Sequence, residues 1–244
     1  MRASGWNSII PPSLGQGDFQ SQIWQILLTN WDCRQVCFWL TLCYILAQEV
    51  HMDGTDVAIT GVEKLQGDIR LLGIIVFSLW IILFIDHWVF RQRLRRAWGI
   101  KPRQTFNPAT IILSQLVHNS RQHLFSNSIP LAILGLLTLL PDSRLFWPVT
   151  GTITLVDGIG VWYFGKRGEV HFGASGLVMG YFGYVLARGF FQHDTGAVLL
   201  AFVVAGFYVG MFKLLVLRKE GISFVSHVSG FVGGLVAAYV ISLF

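Results

Sequence analysis

The residues Gly173-Ala174-Ser175-Gly176 set a serine hydroxyl between glycines, directly ahead of an apolar run over 177–187 that reads as a buried helix. In the first turn of such a helix, unpaired backbone N–H groups and the positive end of the macrodipole favour developing negative charge. That is a suitable seat for a nucleophile. Serine is weakly nucleophilic at its own pKa and needs a base within hydrogen-bond reach. The candidate is His227, in Ser226-His227-Val228-Ser229-Gly230-Phe231-Val232-Gly233-Gly234. Acyl transfer also needs donors aimed at the oxyanion. His123 and Asn127 lie four residues apart, on one face if this stretch is helical, and with the Ser175 N–H they could supply those donors. His118, five residues before His123, extends this polar cluster. No carboxylate is evident beside His227, so the pair reads as a Ser-His dyad, a triad lacking its third member.

Each feature also has a plain reading. Glycine and serine permit close helix packing in membranes, and Gly173, Gly176, Gly180 and Gly183 recur at helical spacing. His118, His123 and Asn127 could line a polar helix entrance, and a lone histidine in a span could be a hydrogen-bonded packing residue. A catalytic reading therefore requires the glycine-lined helices of Ser175 and His227 to cross closely.

Composition supplies the setting. The chain has 244 residues, 53% hydrophobic and only 13% charged, against about 25% charged in soluble domains. We expect an all-α membrane protein, a polytopic bundle of six transmembrane helices near residues 71–90, 120–140, 145–165, 174–191, 195–217 and 224–243. The formal charge of +5 suits anionic lipid headgroups. No nucleic-acid module is evident, and no metal or other cofactor is called for.

Three divisions are expected: an N-terminal extension over 1–51, a polar, weakly amphipathic lead-in over 52–70, and the membrane domain over 71–244. The extension reads as carrying an interfacial or buried helix rather than a seventh span, and no ordinary signal-peptide pattern follows Met1. Cys33, Cys37 and Cys43 all fall in it, without the His or carboxylate pattern of a metal site. Asp86 and His87 should face the interface or the bundle. The basic run from Arg91 to Arg96 leads into a loop with room for a short helix over 108–116. The segment containing Asp157, Gly158 and Gly160 reads as the glycine-punctuated tail of the third span.

From about residue 70 onward the chain resembles the rhomboid family of intramembrane serine proteases. The resemblance rests on His118, His123 and Asn127, on Gly173-Ala174-Ser175-Gly176, and on His227 with Gly230 and Gly233/Gly234, in that order on the second, fourth and sixth spans. It implies a six-helix core, Ser175 as nucleophile, His227 as general base, His123 and Asn127 in the oxyanion hole, and a supporting role for His118. It also implies that the substrate is a single-pass membrane protein cleaved in or beside its transmembrane helix. Many members carry an aromatic residue four after the serine, where this chain has Met179; a thioether can still meet an imidazole edge. The family pattern turns the site away from the cytosol. The loops flanking it nevertheless hold 12 of the 18 Lys and Arg residues, which by the positive-inside rule points the other way. Two other classes stand beside the protease reading. One is a silent rhomboid-like protein that binds and escorts transmembrane helices. The other is a transporter, for which paired broken helices in the two halves are not apparent.

Overall fold

The computed structural model describes residues 54–104, 106–216 and 223–244. The expected N-terminal extension and its cysteines lie outside the described residues. Apart from one antiparallel bridge between Ile100 and His171, the described residues form helices and turns. In chain order the helices are α1 (Gly54–Trp88), α2 (Leu94–Trp98), α3 (Ala109–Leu116), α4 (Arg121–Leu139), α5 (Phe146–Phe164), α6 (Ser175–Phe191), α7 (Thr195–Phe207), α8 (Val209–Val216) and α9 (Phe224–Ile241).

Helix starts follow local chemistry. Ser120 caps α4 by accepting from the His123 N–H at 3.1 Å, Asp194 caps α7 through the Ala197 N–H at 3.0 Å, and Ser223 caps α9 through the Ser226 N–H at 3.3 Å. Each satisfies an N–H that the helix itself leaves unpaired. Residues 54–70 form the first turns of α1. Their charges are used at the far end of α4: Lys64 pairs with Asp68 at 2.8 Å and donates to the Leu139 and Leu140 carbonyls, each at 3.2 Å. Asp68 also accepts from the Ser143 hydroxyl at 3.0 Å. Asp86, which is buried, receives the Leu94 N–H at 2.9 Å and fixes the turn into α2, whereas His87 is exposed.

Among the described residues, four helical stretches are long and apolar enough to cross a bilayer: Thr60–Trp88, Arg121–Leu139, Ser143–Phe164 and Phe224–Ile241. The fourth expected span is α6, of 17 residues, and the expected fifth span divides at Tyr208 into α7, of 13 residues, and α8, of 8. The apolar run from 196 to 212 conceals that break, since periodicity in an apolar stretch marks no boundary.

Helix α6 is the hub. Its most extensive partner is α9, and α7, α4 and α5 pack around it. Val178, Met179, Tyr181, Phe182, Tyr184 and Val185 are all buried. The Tyr181 hydroxyl meets that of Thr150 on α5 at 2.7 Å, and its ring stacks on Phe146. Large apolar side chains on the outer faces are exposed, among them Phe77 on α1, Leu155 on α5 and Phe202 on α7. On membrane helices this is the lipid-facing surface.

The α6–α9 contact is backbone on backbone. A methyl built on Gly230 would strike the Gly176 carbonyl, and one on Gly234 would strike the Gly180 carbonyl and the Tyr184 N–H. Gly183 lies against the Phe231 carbonyl in the same way. The expected crossing of the two glycine-lined helices is therefore present. Gly173, by contrast, stands outside the helical stripe, in the loop before α6.

This geometry predicts an asymmetry among glycines. Gly234→Ala must separate two backbones, a cost of about 1–3 kcal/mol typical of overpacking. Gly206→Ala on α7, with open space around it, should be neutral or slightly stabilising. Thermal unfolding of the purified variants in detergent checks this; equal effects would contradict the crossing.

Candidate active site

The site is assembled from two loops and the starts of three helices. Ala174 is the N-cap of α6, so Ser175 is its first helical residue, half-buried, with no side-chain cap competing for the N–H groups of that turn. His227 lies in the first turn of α9 and is 4% exposed. The Gly176–Gly230 crossing sits one residue after Ser175 and three residues, about one turn, after His227. Met179 is one turn further along α6 and is buried.

The loop ahead of Ser175 is held on several sides. The Gly173 N–H donates to the Ser114 carbonyl of α3 at 2.8 Å. His171 exchanges two backbone hydrogen bonds with Ile100, both 2.9 Å, and its Nδ1 meets the hydroxyl of Ser223, the α9 cap, at 2.7 Å. Gly173 has φ of +109°, a backbone region that side chains disfavour, and its open face is covered by His123: a Cβ there would lie 2.9 Å from Cε1 of that ring. Glycine is required at this position twice over, by backbone angle and by the imidazole against it.

His118 is the centre of the polar cluster. It lies in the turn before α4, 2% exposed, and its Nε2 accepts from the Ala174 N–H and from the Asn127 side-chain amide, both at 3.2 Å. Two donors on one nitrogen fix that nitrogen as the acceptor and put the ring proton on Nδ1. Nδ1 makes no well-formed hydrogen bond, the Leu116 backbone being a weaker influence on the ring. The His118 and His123 rings meet edge to face with centroids 5.1 Å apart. His123 Nδ1 faces the Asn119 side-chain oxygen at 3.0 Å. An amide oxygen only accepts, so in this arrangement Nδ1 carries the proton and Nε2 presents a lone pair. His118, His123, Asn127 and Gly173 are thus brought together directly before Ser175. Among the described residues no three His, Cys, Asp or Glu side chains converge to hold a metal ion.

One residue of this neighbourhood escapes the sequence reading. Asp157 of α5, 1% exposed, turns its Oδ2 toward Gly176 and Ser226, the chain neighbours of Ser175 and His227. The same oxygen accepts from the Gln115 amide of α3 at 2.7 Å. A carboxyl thus stands at the helix crossing, one chain position from Ser175 and one from His227. The available signal was an ionisable residue within an apolar span, but its partners, 42 residues before it and 69 after it, meet it only in the fold.

Burial first, and the neighbouring His123 second, lower the His118 pKa from 6.5 to about 3. The unfolded chain therefore binds a proton that the folded one refuses. Stability contributed at neutral pH is lost as pH falls from about 6.5 toward 3, by about 1.4 kcal/mol per unit. His171, also lowered by burial, adds in the same sense. Thermal unfolding in detergent should show stability falling between pH 7 and pH 5, with a shallower slope in His118→Gln; equal slopes would contradict the assignment.

The Rhomboid domain family model matches residues 105–244, more than half of the chain. An uncharacterized protein of Mycobacterium tuberculosis is 37% identical over 153 residues, which cover 59% of this chain and 63% of that protein; one of Mycobacterium bovis matches with the same values. An uncharacterized protein of Mycobacterium leprae is 33% identical over 141 residues, 54% of this chain and 55% of its own length. The chain thus spans less than two thirds of the curated relatives it matches. Matched residues 105–244 contain the histidine cluster, the serine loop and the α6–α9 crossing, together with three of the long apolar helices. The chain belongs to the rhomboid family and is a multi-pass integral membrane protein.

Proposed function

We propose that the protein is an intramembrane serine endopeptidase that hydrolyses peptide bonds in or beside the transmembrane helix of single-pass membrane proteins. The observation that carries this reading is the backbone crossing at Gly176 and Gly230, which sets the turn bearing Ser175 against the turn bearing His227. The surrounding donors are of the kind that acyl transfer needs.

In the reaction, the Ser175 hydroxyl attacks the scissile carbonyl carbon while the His227 imidazole accepts its proton. The carbonyl oxygen becomes the oxyanion. It is received by the Ser175 N–H, in the first turn of α6, and by the Asn127 amide, which has a second N–H beyond the one given to His118. His227 returns the proton to the leaving amine as the carbon–nitrogen bond breaks. Water, deprotonated by the same imidazole, then attacks the acyl-enzyme and releases Ser175. His118 holds the Ala174 N–H and the Asn127 amide and so supports the loop and the donor together. His123 contributes a donor once Nε2 holds a proton; in the neutral ring this goes with the Asn119 amide turning its NH2 toward Nδ1. Met179 lies beside the nucleophile's turn, where the resemblance leads one to expect an aromatic.

A helical substrate hides its carbonyls in its own hydrogen bonds. Segments containing helix-weakening residues unwind at least cost, and the half-buried Ser175 favours substrates that do.

In proteoliposomes, a serine-directed phosphonate should label the protein, and a reporter with a single transmembrane helix should be cleaved. Ser175→Ala and His227→Ala should each abolish both. A folded protein that binds the reporter helix, takes no label and cuts nothing would instead support the silent, helix-escorting reading. Asn127→Ala should retain labelling yet lower turnover by about 10² to 10³, equivalent to about 2.7–4 kcal/mol of transition-state stabilisation. Unchanged turnover would remove Asn127 from the oxyanion hole.

A further inference from the structure

Asp157 plays no part in the scheme above, yet its carboxyl meets Gly176 and Ser226, the chain neighbours of the two reacting residues. Its carboxyl joins α3 through Gln115, α6 through Gly176 and α9 through Ser226. The Ser226 hydroxyl donates to it, and Ser226 precedes His227 in the chain. Among the described residues, the other buried acids serve different ends: Asp68 pairs with Lys64, and Asp86 receives the Leu94 N–H. No salt bridge among the described residues takes Asp157. Gln115, Asp157, His171, Gly173 and Ser226 line one small cleft, and Asp157 Oδ1, Gln115 Oε1 and His171 Nε2 are buried polar atoms without a hydrogen-bond partner. The groups facing the carboxyl are thus the Gln115 amide, the Ser226 hydroxyl and, across that cleft, the His171 ring, which lies 3.6 Å from the Glu169 carboxylate; His227 follows Ser226 in the chain.

A buried carboxyl without a cation is costly, and so is an imidazolium formed in a low-dielectric bundle. Two such opposite charges stabilise one another wherever a fold brings them close. Removing either leaves the other uncompensated.

We propose that Asp157 is a positioning residue for the Ser175–His227 pair, orienting the first turn of α9 through Ser226 and supplying the negative charge against which His227 becomes imidazolium. This rests on the protease reading. Asp157 exchanges no proton in the step; the proton passes from Ser175 to His227 and on to the leaving amine. The pair then works as a dyad with an electrostatic partner one residue removed, joined by a serine in place of a direct carboxylate–imidazole bond.

The test uses the full chain in proteoliposomes and the pH profile of kcat/KM from about pH 5 to 9, for wild type, Asp157→Asn and Ser226→Ala. Asparagine keeps the shape and an acceptor for Gln115 while removing the charge. It should lower kcat about tenfold or more with KM nearly unchanged, and should move the acid limb of the profile to lower pH by about one unit. Ser226→Ala should move that limb the same way by less, and reads the same coupling if Asp157→Asn fails to fold. A purely structural role would change stability or overall rate and leave the acid limb in place; an unmoved limb in the folded variants overturns the proposal. If the wild-type chain shows no Ser175-dependent cleavage, the protease reading fails by itself. The coupling is then read from the His227 imidazole titration by nuclear magnetic resonance in the same variants. A downward shift there sustains the Asp157–His227 link, and its absence removes it.

Discussion

The architecture depends on a place where two helices touch with no side chains between them. Gly176 and Gly180 on α6 meet Gly230 and Gly234 on α9, carbonyl against α-carbon. Lipid tails are as apolar as leucine, so helices in a bilayer gain little from hydrophobic burial against one another, and close packing must supply the cohesion. Such a contact tolerates little sliding, because a shift along either helix drives a side chain into backbone. It therefore fixes the register of the residues beside it, which here are Ser175 and His227.

Around that crossing, polar groups are spent on joining elements rather than on surface solubility. The His118 ring ties the turn before α4 to the start of α6, with Asn127 on the same nitrogen. Asp157 ties α5 to α3 and to the crossing itself. His171 ties the loop before α6 to the cap of α9 and, through its backbone, to Ile100. In a medium that offers no competing water, each link favours one arrangement over its alternatives. The result is a rigid polar floor beneath a half-buried serine, consistent with chemistry that needs preorganised donors.

Much of this was legible beforehand, for identifiable reasons. The expected spans over 120–140, 195–217 and 224–243 begin where the helices starting at Arg121, Thr195 and Phe224 begin. The short helix in the basic loop follows Pro108, which suits a helix entrance. The glycine spacing foretold the α6–α9 contact. What could not be read came from tertiary context. Polar residues 54–70 continue as helix because Lys64 and Asp68 find partners on the α4–α5 turn. Gly173 belongs to a loop, its role set by φ and by the His123 ring, neither of which spacing reveals. Asp157 looked like part of a span's tail because Gln115 and Ser226 come from distant parts of the chain.

The account turns on the distance between the Ser175 hydroxyl and the His227 imidazole, and the most direct measurement is an experimental structure of the protein after reaction with a serine-directed phosphonate in lipid. The predicted result is phosphorus bonded to the Ser175 oxygen, the phosphoryl oxygen within hydrogen-bond reach of the Asn127 amide, and an imidazole nitrogen of His227 about 2.6–3.2 Å from the modified site. An adduct on another residue, or His227 held beyond the reach of a bridging water, would contradict it.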